Sequence, residues 1–474
     1  MTFTSVQSDI ALQTRQGRPA PRAPGPVPLD QPLGPLELLR ALRDNPMTTW
    51  TKRHFTEKVV GGTGLLGRVM VFSDPALIRH VLVDNAANYW KGDLQQRMLS
   101  QGLGKGLLLA EGDLWRSQRR AMAPLFSPRN VAEFQVTMAD VAHNLVDRWR
   151  RQRDGRTVDV ANEMARGTLR ILARTIFSDG LTRTTDEFAT AVTSYLDVIG
   201  KLDPLDVLDA PEWVPRVGKW QSRPTLTFFE DAIDAMVVRR QAQITADPAS
   251  APRDLLTLLL EAADPETGAG LSELEVRANV MTFIAAGHET TSNALTWALY
   301  LLSQAPDARR RVEEEVDALL PDGIVAPGVL DQLLQTRAVL DEALRLYPPA
   351  ATISREARDF DQIGDIRIKA GTGIIISPWV LHRHKLLWEQ PDNFRPERFL
   401  PEARGTIDRF AYLPFGAGPR VCIGASFALQ EAVTMLATII RSFRLDLARG
   451  HEVMPIQRIS LRPKGGMPMV LRRR

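Results

Sequence analysis

Phe415-Gly416-Ala417-Gly418-Pro419-Arg420-Val421-Cys422-Ile423-Gly424 is the stretch that decides how this chain is read. Cys422 is the only cysteine among 474 residues. A lone cysteine is most often a small buried hydrophobe, but its neighbours argue otherwise. Directly after it, Ala425, Ala428, Leu429, Ala432, Val433, Leu436, Ile439, Ile440 and Phe443 recur at spacings of three and four, the period of a helix with one buried face. Cys422 therefore stands at a helix N-terminus, where free N–H groups and the macrodipole favour a thiolate over a thiol. Gly416 and Gly418 permit a turn, bringing backbone amides toward the sulfur, that residues with a Cβ adopt only at a cost. A thiolate in a glycine turn, with Arg420 close before it, suits an iron ligand beside an anionic group.

The stretch resembles the haem-binding signature of the cytochrome P450 superfamily. It matches at every defined position: an aromatic, two glycines, an arginine, the cysteine and a closing glycine. The resemblance implies that Cys422 is the proximal thiolate of haem b and its metal ligand, and that Arg420 pairs with a propionate. Phe415, Gly416 and Gly424 then belong to the cofactor loop. A thiolate ligand pushes electron density onto the iron and favours O–O cleavage, so the expected chemistry is activation of O2 rather than its carriage.

Composition agrees with a globular enzyme: 44% hydrophobic and 24% charged residues leave enough apolar material for a large core. The net charge of +3 argues against nucleic acid as the main partner. One cysteine excludes an internal disulfide framework and is compatible with a reducing cytosol. No run approaches the roughly 18 apolar residues of a transmembrane helix. The expectation is a soluble, cytoplasmic, monomeric enzyme of bacterial type.

Working back to the N-terminus, residues 1–34 are polar and punctuated by Pro19, Pro21, Pro24, Pro26, Pro28 and Pro32, reading as an extended tail. Residues 35–474 form the expected single haem domain, starting with a short helix that ends near Asn45-Pro46. Gly62-Thr63-Gly64-Leu65-Leu66-Gly67 is formally GxGxxG. The dinucleotide fingerprint needs a helix after the last glycine, whereas Arg68-Val69-Met70-Val71-Phe72 is a strand pattern. A glycine-rich hairpin is expected there, followed by a helix from Asp74-Pro75 to about Asp84.

Trp115 and Arg119 share a helix face at i, i+4. A half-buried Trp beside a solvated Arg explains that pattern equally well. The superfamily has the same W-x-x-x-R ahead of its haem loop, which implies propionate contacts for Trp115 and Arg119, and for Lys91 upstream. Residues 130–180 read as helical with a break at Asp154-Gly155. The proline-punctuated stretch up to about Ala246 corresponds to the family's lid over the substrate channel.

A long helix pattern runs from Leu271 to Gln304, with Ser272 near its start and Pro306 after it. In its middle stands Ala286-Gly287-His288-Glu289-Thr290-Thr291. A mid-helix glycine costs about 1 kcal/mol relative to alanine, and threonines add to the deficit. Close packing at Gly287, with threonines bonded back to carbonyls, is one explanation. The other is a local opening of the helix beside a hydroxyl and a carboxylate. The superfamily's oxygen-binding helix, A-G-x-[DE]-T-T, matches here. By resemblance Thr290 and Glu289 deliver protons, Ala286 and Gly287 face the haem, and His288 is structural or solvent-facing.

Glu342 and Arg345 at i, i+3 say little alone. Together with Pro396-Glu397-Arg398-Phe399 they match the family's E-x-x-R and P-E-R-F pair, implying a buried ion triad of Glu342, Arg345 and Arg398. Arg355 matches another propionate position. His382-Arg383-His384 lacks acidic or thiol partners for a metal, and the resemblance places it in a surface-proximal turn. The stretch from Ile456 to Leu471 suggests a terminal hairpin turning at Lys464-Gly465-Gly466. Phe283, Ala286, Ala350, Ala351, Thr352 and Ile459 are the expected substrate-pocket residues.

The fold class implied is mainly α, a cytochrome P450 fold with a smaller β-rich region. The implied function is monooxygenation of an apolar small molecule, by hydroxylation or epoxidation of a fatty acid, terpenoid or steroid-like compound. NAD(P)H would supply electrons indirectly, through a ferredoxin or flavodoxin with its reductase. A peroxygenase or non-oxidative isomerase of the same fold, and a haem-binding sensor, are the alternatives; none of them needs the pair Glu289 and Thr290.

Overall fold

Asp, Ser and Pro set most of the helix starts. The computed structural model describes residues 20–64, 67–92, 96, 103–178 and 217–474. Helix α1 (Pro35–Asp44) and α2 (Pro75–Arg79) both open on proline, whose missing N–H is no loss in a first turn. Asp74 caps α2 by accepting from Ala76 N–H at 2.9 Å. Helix α3 (Gly112–Met122) carries Trp115 and Arg119. It is followed by α4 (Gln135–Arg150), α5 (Val160–Phe177, capped by Asp159) and α6 (Val217–Ala246).

The centre of the molecule is α7, Glu273–Gln304, 32 residues long. Ser272 starts it with a capping box: Glu275 N–H donates to the Ser272 hydroxyl at 3.3 Å, and Ser272 N–H donates to Glu275 Oε2 at 2.9 Å. From Thr291 to Leu302 every residue is buried, which is how a helix apolar on all sides is accommodated. Helix α8 (Leu334–Leu346) and α9 (Ala425–Ser442) pack beside it. Trp297 of α7 stacks on Tyr347 at the end of α8, with ring centroids 3.9 Å apart and planes 10° apart.

The β-rich part is a five-stranded sheet in the order β1 (Val59–Gly64), β2 (Gly67–Phe72), β8 (Gly373–Ile376), β5 (Ile353–Ala357), β3 (Tyr89–Trp90). Strands β1 and β2 are antiparallel from Val59–Phe72 to Gly64–Gly67. The GxGxxG stretch is thus a hairpin, and no helix opens there to receive a pyrophosphate. Three smaller sheets lie among the described residues: β4 (Thr157–Asp159) with β12 (Pro468–Arg473) and β9 (Phe443–Leu447), β6 (Asp361–Ile363) with β7 (Ile366–Ile368), and β10 (Pro455–Gln457) with β11 (Leu461–Pro463).

Four expectations need correction. The helix from Pro75 does not stay α-helical to Asp84 but passes into a π turn over His80–Asp84. The C-terminal turn at 464–466 joins strands of two different sheets, and the hairpin lies earlier, between β10 and β11. His382 and His384 are fully buried rather than near the surface, because His382 bridges two chain segments. The proline-rich stretch is extended, but residues 20–34 lie pinned along the body: Ala23 N–H donates to Asp392 O at 2.8 Å, Phe394 N–H to Pro21 O at 2.9 Å, and the Tyr347 hydroxyl to Pro24 O at 2.8 Å. Residues 1–19, and most of the expected lid (179–216), lie outside the described residues.

Candidate active site

The cysteine loop is built from its two ends inward. Gly416 and Gly418 both have φ of +73°, the left-handed region that side chains with a Cβ avoid. A methyl group on Gly418 would collide with the Leu82 carbonyl. Cys422 N–H donates back across the turn to Phe415 O at 2.9 Å. Gly424, the N-cap of α9, directs its N–H at the Cys422 sulfur. The amide that reaches the sulfur therefore comes from the closing glycine, not from the two glycines upstream. The thiol is solvent-accessible yet closely surrounded by protein, as a group lining a concavity is. Burial pushes it up, while the Gly424 amide and the Arg119 guanidinium pull toward the thiolate.

His382 anchors the loop from behind. Its Nε2 accepts from Leu413 N–H at 2.8 Å, so Nδ1 carries the proton and donates to Arg345 O at 3.2 Å. Burial, with Arg345 beside it, pushes the ring down to about 3 and keeps it neutral. Behind His382 stands the ion triad. Arg345 donates to both oxygens of Glu342, and to the carbonyls of His382 and Pro391 at 2.6 and 2.7 Å. Arg398 Nε lies 3.6 Å from Glu342 and its Nη2 donates to Glu389 O at 2.5 Å. Glu342, Arg345 and Arg398 are brought together in a core that also holds Trp388 under the Arg345 guanidinium, 4.9 Å away.

On the other flank, cations gather. Burial, then Arg420 and Arg355, push Lys91 down to about 7, and burial with Arg420 pushes Arg355 to about 10. The carboxylate acting on all three is Glu111, which pairs with Arg420 and accepts from Lys91 N–H at 3.3 Å. Arg420 also lies over the Trp115 ring at 4.4 Å. Among the described residues, Arg355, Arg420 and a Lys91 brought near neutrality by burial and by both arginines surround one carboxylate, and a dianionic group such as the two propionates of a haem would restore the Lys91 charge. Arg119 is close enough to Cys422 for the two charges to act on each other. Sequence reasoning missed Glu111; its signal was an acid at the N-cap of α3, just before the tryptophan.

The middle of α7 is open over one short stretch. Ala286 is exposed and Thr290 partly so, one turn apart, between stretches that are buried. The Thr290 hydroxyl donates to Ala286 O at 2.7 Å. Gly287, expected beside the cofactor, instead faces α5: a methyl group there would lie 2.8 Å from Leu172 Cδ1. Close packing, with a threonine bonded back to a carbonyl, thus accounts for the helix-weakening residues. His288 is buried, its ring pushed down to about 4 by burial, so it does not face solvent. The Glu289 carboxylate lies 4.0 Å from Arg462 of β11.

The expected pocket residues divide. Ala350 is exposed, and Thr352 and Ile459 are partly so. The β10–β11 hairpin that carries Ile459 is held by Asn293 to the Ser460 hydroxyl at 2.8 Å and by Leu461 N–H to Pro349 O at 2.9 Å. Ala351 is buried beneath them, its carbonyl taken by the Ser377 hydroxyl at 2.9 Å. Phe283 is 8% exposed and stands edge-on to Phe126, centroids 5.2 Å apart.

The family model for cytochrome P450 matches residues 44–469. The chain belongs to the cytochrome P450 family. It is 34% identical over 381 residues to cyclooctat-9-en-7-ol 5-monooxygenase of Streptomyces melanosporofaciens, covering 80% of each chain. It is 32% identical over 400 residues to the chloroplast protein LUTEIN DEFICIENT 5 of Arabidopsis thaliana, covering 80% of this chain and 66% of that one. Among solved structures it matches the haem domain of cytochrome P450DA with a TM-score of 0.82 at 28% identity, over 96% of this chain and 98% of that one. A P450 uses a haem-thiolate iron and O2, and the thiol, the cation cluster and the open face of α7 fit that group. Among the described residues no helix is long and apolar enough to cross a membrane.

Proposed function

We propose that this P450 monooxygenase hydroxylates or epoxidises an apolar small molecule of terpenoid, steroid or fatty-acid type, with electrons delivered by a separate ferredoxin or flavodoxin. The observation that carries the reading is the solvent-accessible Cys422 thiol together with the cluster of Lys91, Arg355 and Arg420 around the single carboxylate of Glu111. When bound, the haem supplies the oxygen chemistry, with Cys422 as its thiolate. Lys91, Arg355 and Arg420 hold its carboxylates and fix its orientation. Ala286 leaves room on α7 for a small ligand, and Thr290 keeps a hydroxyl at that face to pass a proton inward. Glu289, set against Arg462, is the outer proton store. Ala350, Thr352 and Ile459 offer small or apolar surface, which selects an apolar substrate by exclusion of water.

The proximal face suits an acidic donor. Phe126 lies 4.0 Å from the Cβ position of Gly424, beside the cysteine loop, and Arg129 follows it by three residues. Arg129, Arg116 and Lys105 are exposed. Arg120, on the same helix α3 as Arg116, adds nothing to this patch, being locked on Asp264 by two bonds of 2.8 and 2.7 Å.

The test is turnover of the haem-loaded protein with NADPH, a ferredoxin and its reductase, under isotopically labelled dioxygen. Candidate substrates are first found by the spin-state shift of the Soret band across terpenoid, steroid and fatty-acid sets. One labelled oxygen in the product supports the reading. Product formed with peroxide alone, and none with NADPH, would replace it with a peroxygenase.

A further inference from the structure

Asp361 lies far from Cys422 in sequence, at the start of the β6–β7 hairpin, yet a chain of contacts links it to the cysteine loop. A single oxygen, Oδ2, receives His80 Nε2 at 2.8 Å, Asn85 Nδ2 at 3.0 Å and the Tyr89 hydroxyl at 2.7 Å. Its other oxygen accepts Gln362 N–H at 2.8 Å. All three side-chain donors come from one short segment, residues 80–89. That segment begins with the π turn His80–Asp84, an irregularity that recurs at functional sites.

Inside the clamped segment lies Leu82, whose carbonyl rests against Gly418 so closely that no side chain fits there. The backbone of the cysteine loop is thus seated on a carbonyl whose position the π turn sets. The far end of the segment runs into β3 and then Lys91, a member of the cation cluster. The same hairpin region grips that end as well. Arg358 N–H donates to Asn88 O at 2.9 Å, Asp359 N–H to Asn88 Oδ1 at 2.8 Å, and the Arg358 guanidinium covers the Trp90 ring at 3.8 Å. Although burial alone would raise the Asp361 carboxyl, its donors hold it below the usual carboxylate range. The clamp is therefore charged and charge-assisted.

We propose that Asp361 is a positioning residue for the haem site, setting through residues 80–91 how the Cys422 loop and Lys91 meet the cofactor. This rests on the haem-thiolate reading above. Without the carboxylate, His80, Asn85 and Tyr89 lose their common acceptor, the π turn loses its anchor and the Leu82 carbonyl is free to shift under Gly418. The sulfur would then hold the iron less firmly, although no group touching the haem has changed.

The test uses the haem-loaded protein and compares wild type, Asp361→Ala, Asp361→Asn and, as a control in the same hairpin, Arg367→Ala at an exposed site. Each is reduced under carbon monoxide, and conversion of the red-shifted thiolate band to the blue-shifted form that has lost the thiolate is timed. The ferric/ferrous potential is measured alongside. Loss of a charge-assisted bond corresponds to roughly a tenfold effect, so Asp361→Ala is expected to convert on the order of tenfold faster with a shifted potential. Asp361→Asn, which keeps an acceptor oxygen, should restore part of the wild-type rate, and Arg367→Ala should match wild type. Equal rates and potentials in wild type and Asp361→Ala would overturn the proposal, as would an equal change in Arg367→Ala. If Asp361→Ala does not load haem, Asn85→Ala and Tyr89→Phe each remove one donor and must show the same acceleration to a smaller degree. Absence of the red-shifted band in wild type itself would sink the haem-thiolate reading instead.

Discussion

Arg345 donates to both oxygens of Glu342, at 2.7 and 2.8 Å, with both side chains wholly shielded from solvent. Removing one partner leaves an unpaired charge in the core, which typically costs about 3–5 kcal/mol. Glu342→Gln and Arg345→Leu should therefore lower stability by about that amount. They should also reduce haem content, since Arg345 supports His382 and His382 supports Leu413 at the loop. Denaturant unfolding and haem-to-protein ratio check this; a change below about 1 kcal/mol would mean that the pair adds little beyond packing.

Cys422→Ser and Cys422→His should abolish the red-shifted carbon monoxide band of the reduced protein. No second cysteine exists to take over as ligand. The measurement is a reduced-minus-reduced CO difference spectrum, and survival of the band in either variant would reject Cys422 as the ligand.

Thr290→Ala should leave haem and substrate binding intact while several-fold more NADPH is consumed per product, as peroxide or excess water. The hydroxyl already has a place on the open face of α7, bonded to Ala286 O at 2.7 Å. Peroxide yield and product are measured against NADPH consumed. Unchanged coupling would show that the proton reaches the site without Thr290.

Lys91 makes a pH-dependent prediction. Burial and the neighbouring arginines bring it to about 7 in the folded chain, against 10.5 ordinarily. Between those values the unfolded chain holds a proton that the folded haem-free protein lacks, so haem-free stability should rise as pH rises through that window. An anion placed beside Lys91 reverses the shift. Haem binding in the same window should then be accompanied by proton uptake, beyond the release expected at Cys422. Lys91→Met should remove that component, measurable by calorimetry in two buffers of different ionisation enthalpy. Equal proton exchange in both proteins would take Lys91 out of the propionate site.

Reversing charge on the proximal face should separate docking from folding. Arg129→Glu and Lys105→Glu should slow first-electron transfer from an acidic ferredoxin, with the difference shrinking as salt rises. Arg120→Glu should instead destabilise the fold, because Asp264 would lose its bidentate partner. Rates indifferent to salt and to both substitutions would place the donor on another face.

The sequence by itself placed the lone cysteine at the start of α9 and marked out the long helix α7. Those signals are local: a glycine turn ahead of Cys422, apolar residues at helical spacing after it, and Ser272 and Pro306 at the two ends of α7. Local backbone and capping preferences express themselves wherever the chain goes. The GxGxxG stretch was legible as a hairpin for the same reason. Only the tertiary structure decided which way groups point and what meets across the chain. Gly287 turned toward Leu172 because α5 packs there, the histidines of 382–384 went inside because His382 bridges Arg345 and Leu413, and Arg120 reached across to Asp264. The cation cluster around Lys91, and the Asp361 clamp under the cysteine loop, join residues separated by hundreds of positions. Such contacts exist only once distant elements are packed, since burial and long-range pairing set their energies and leave no periodic mark in the sequence.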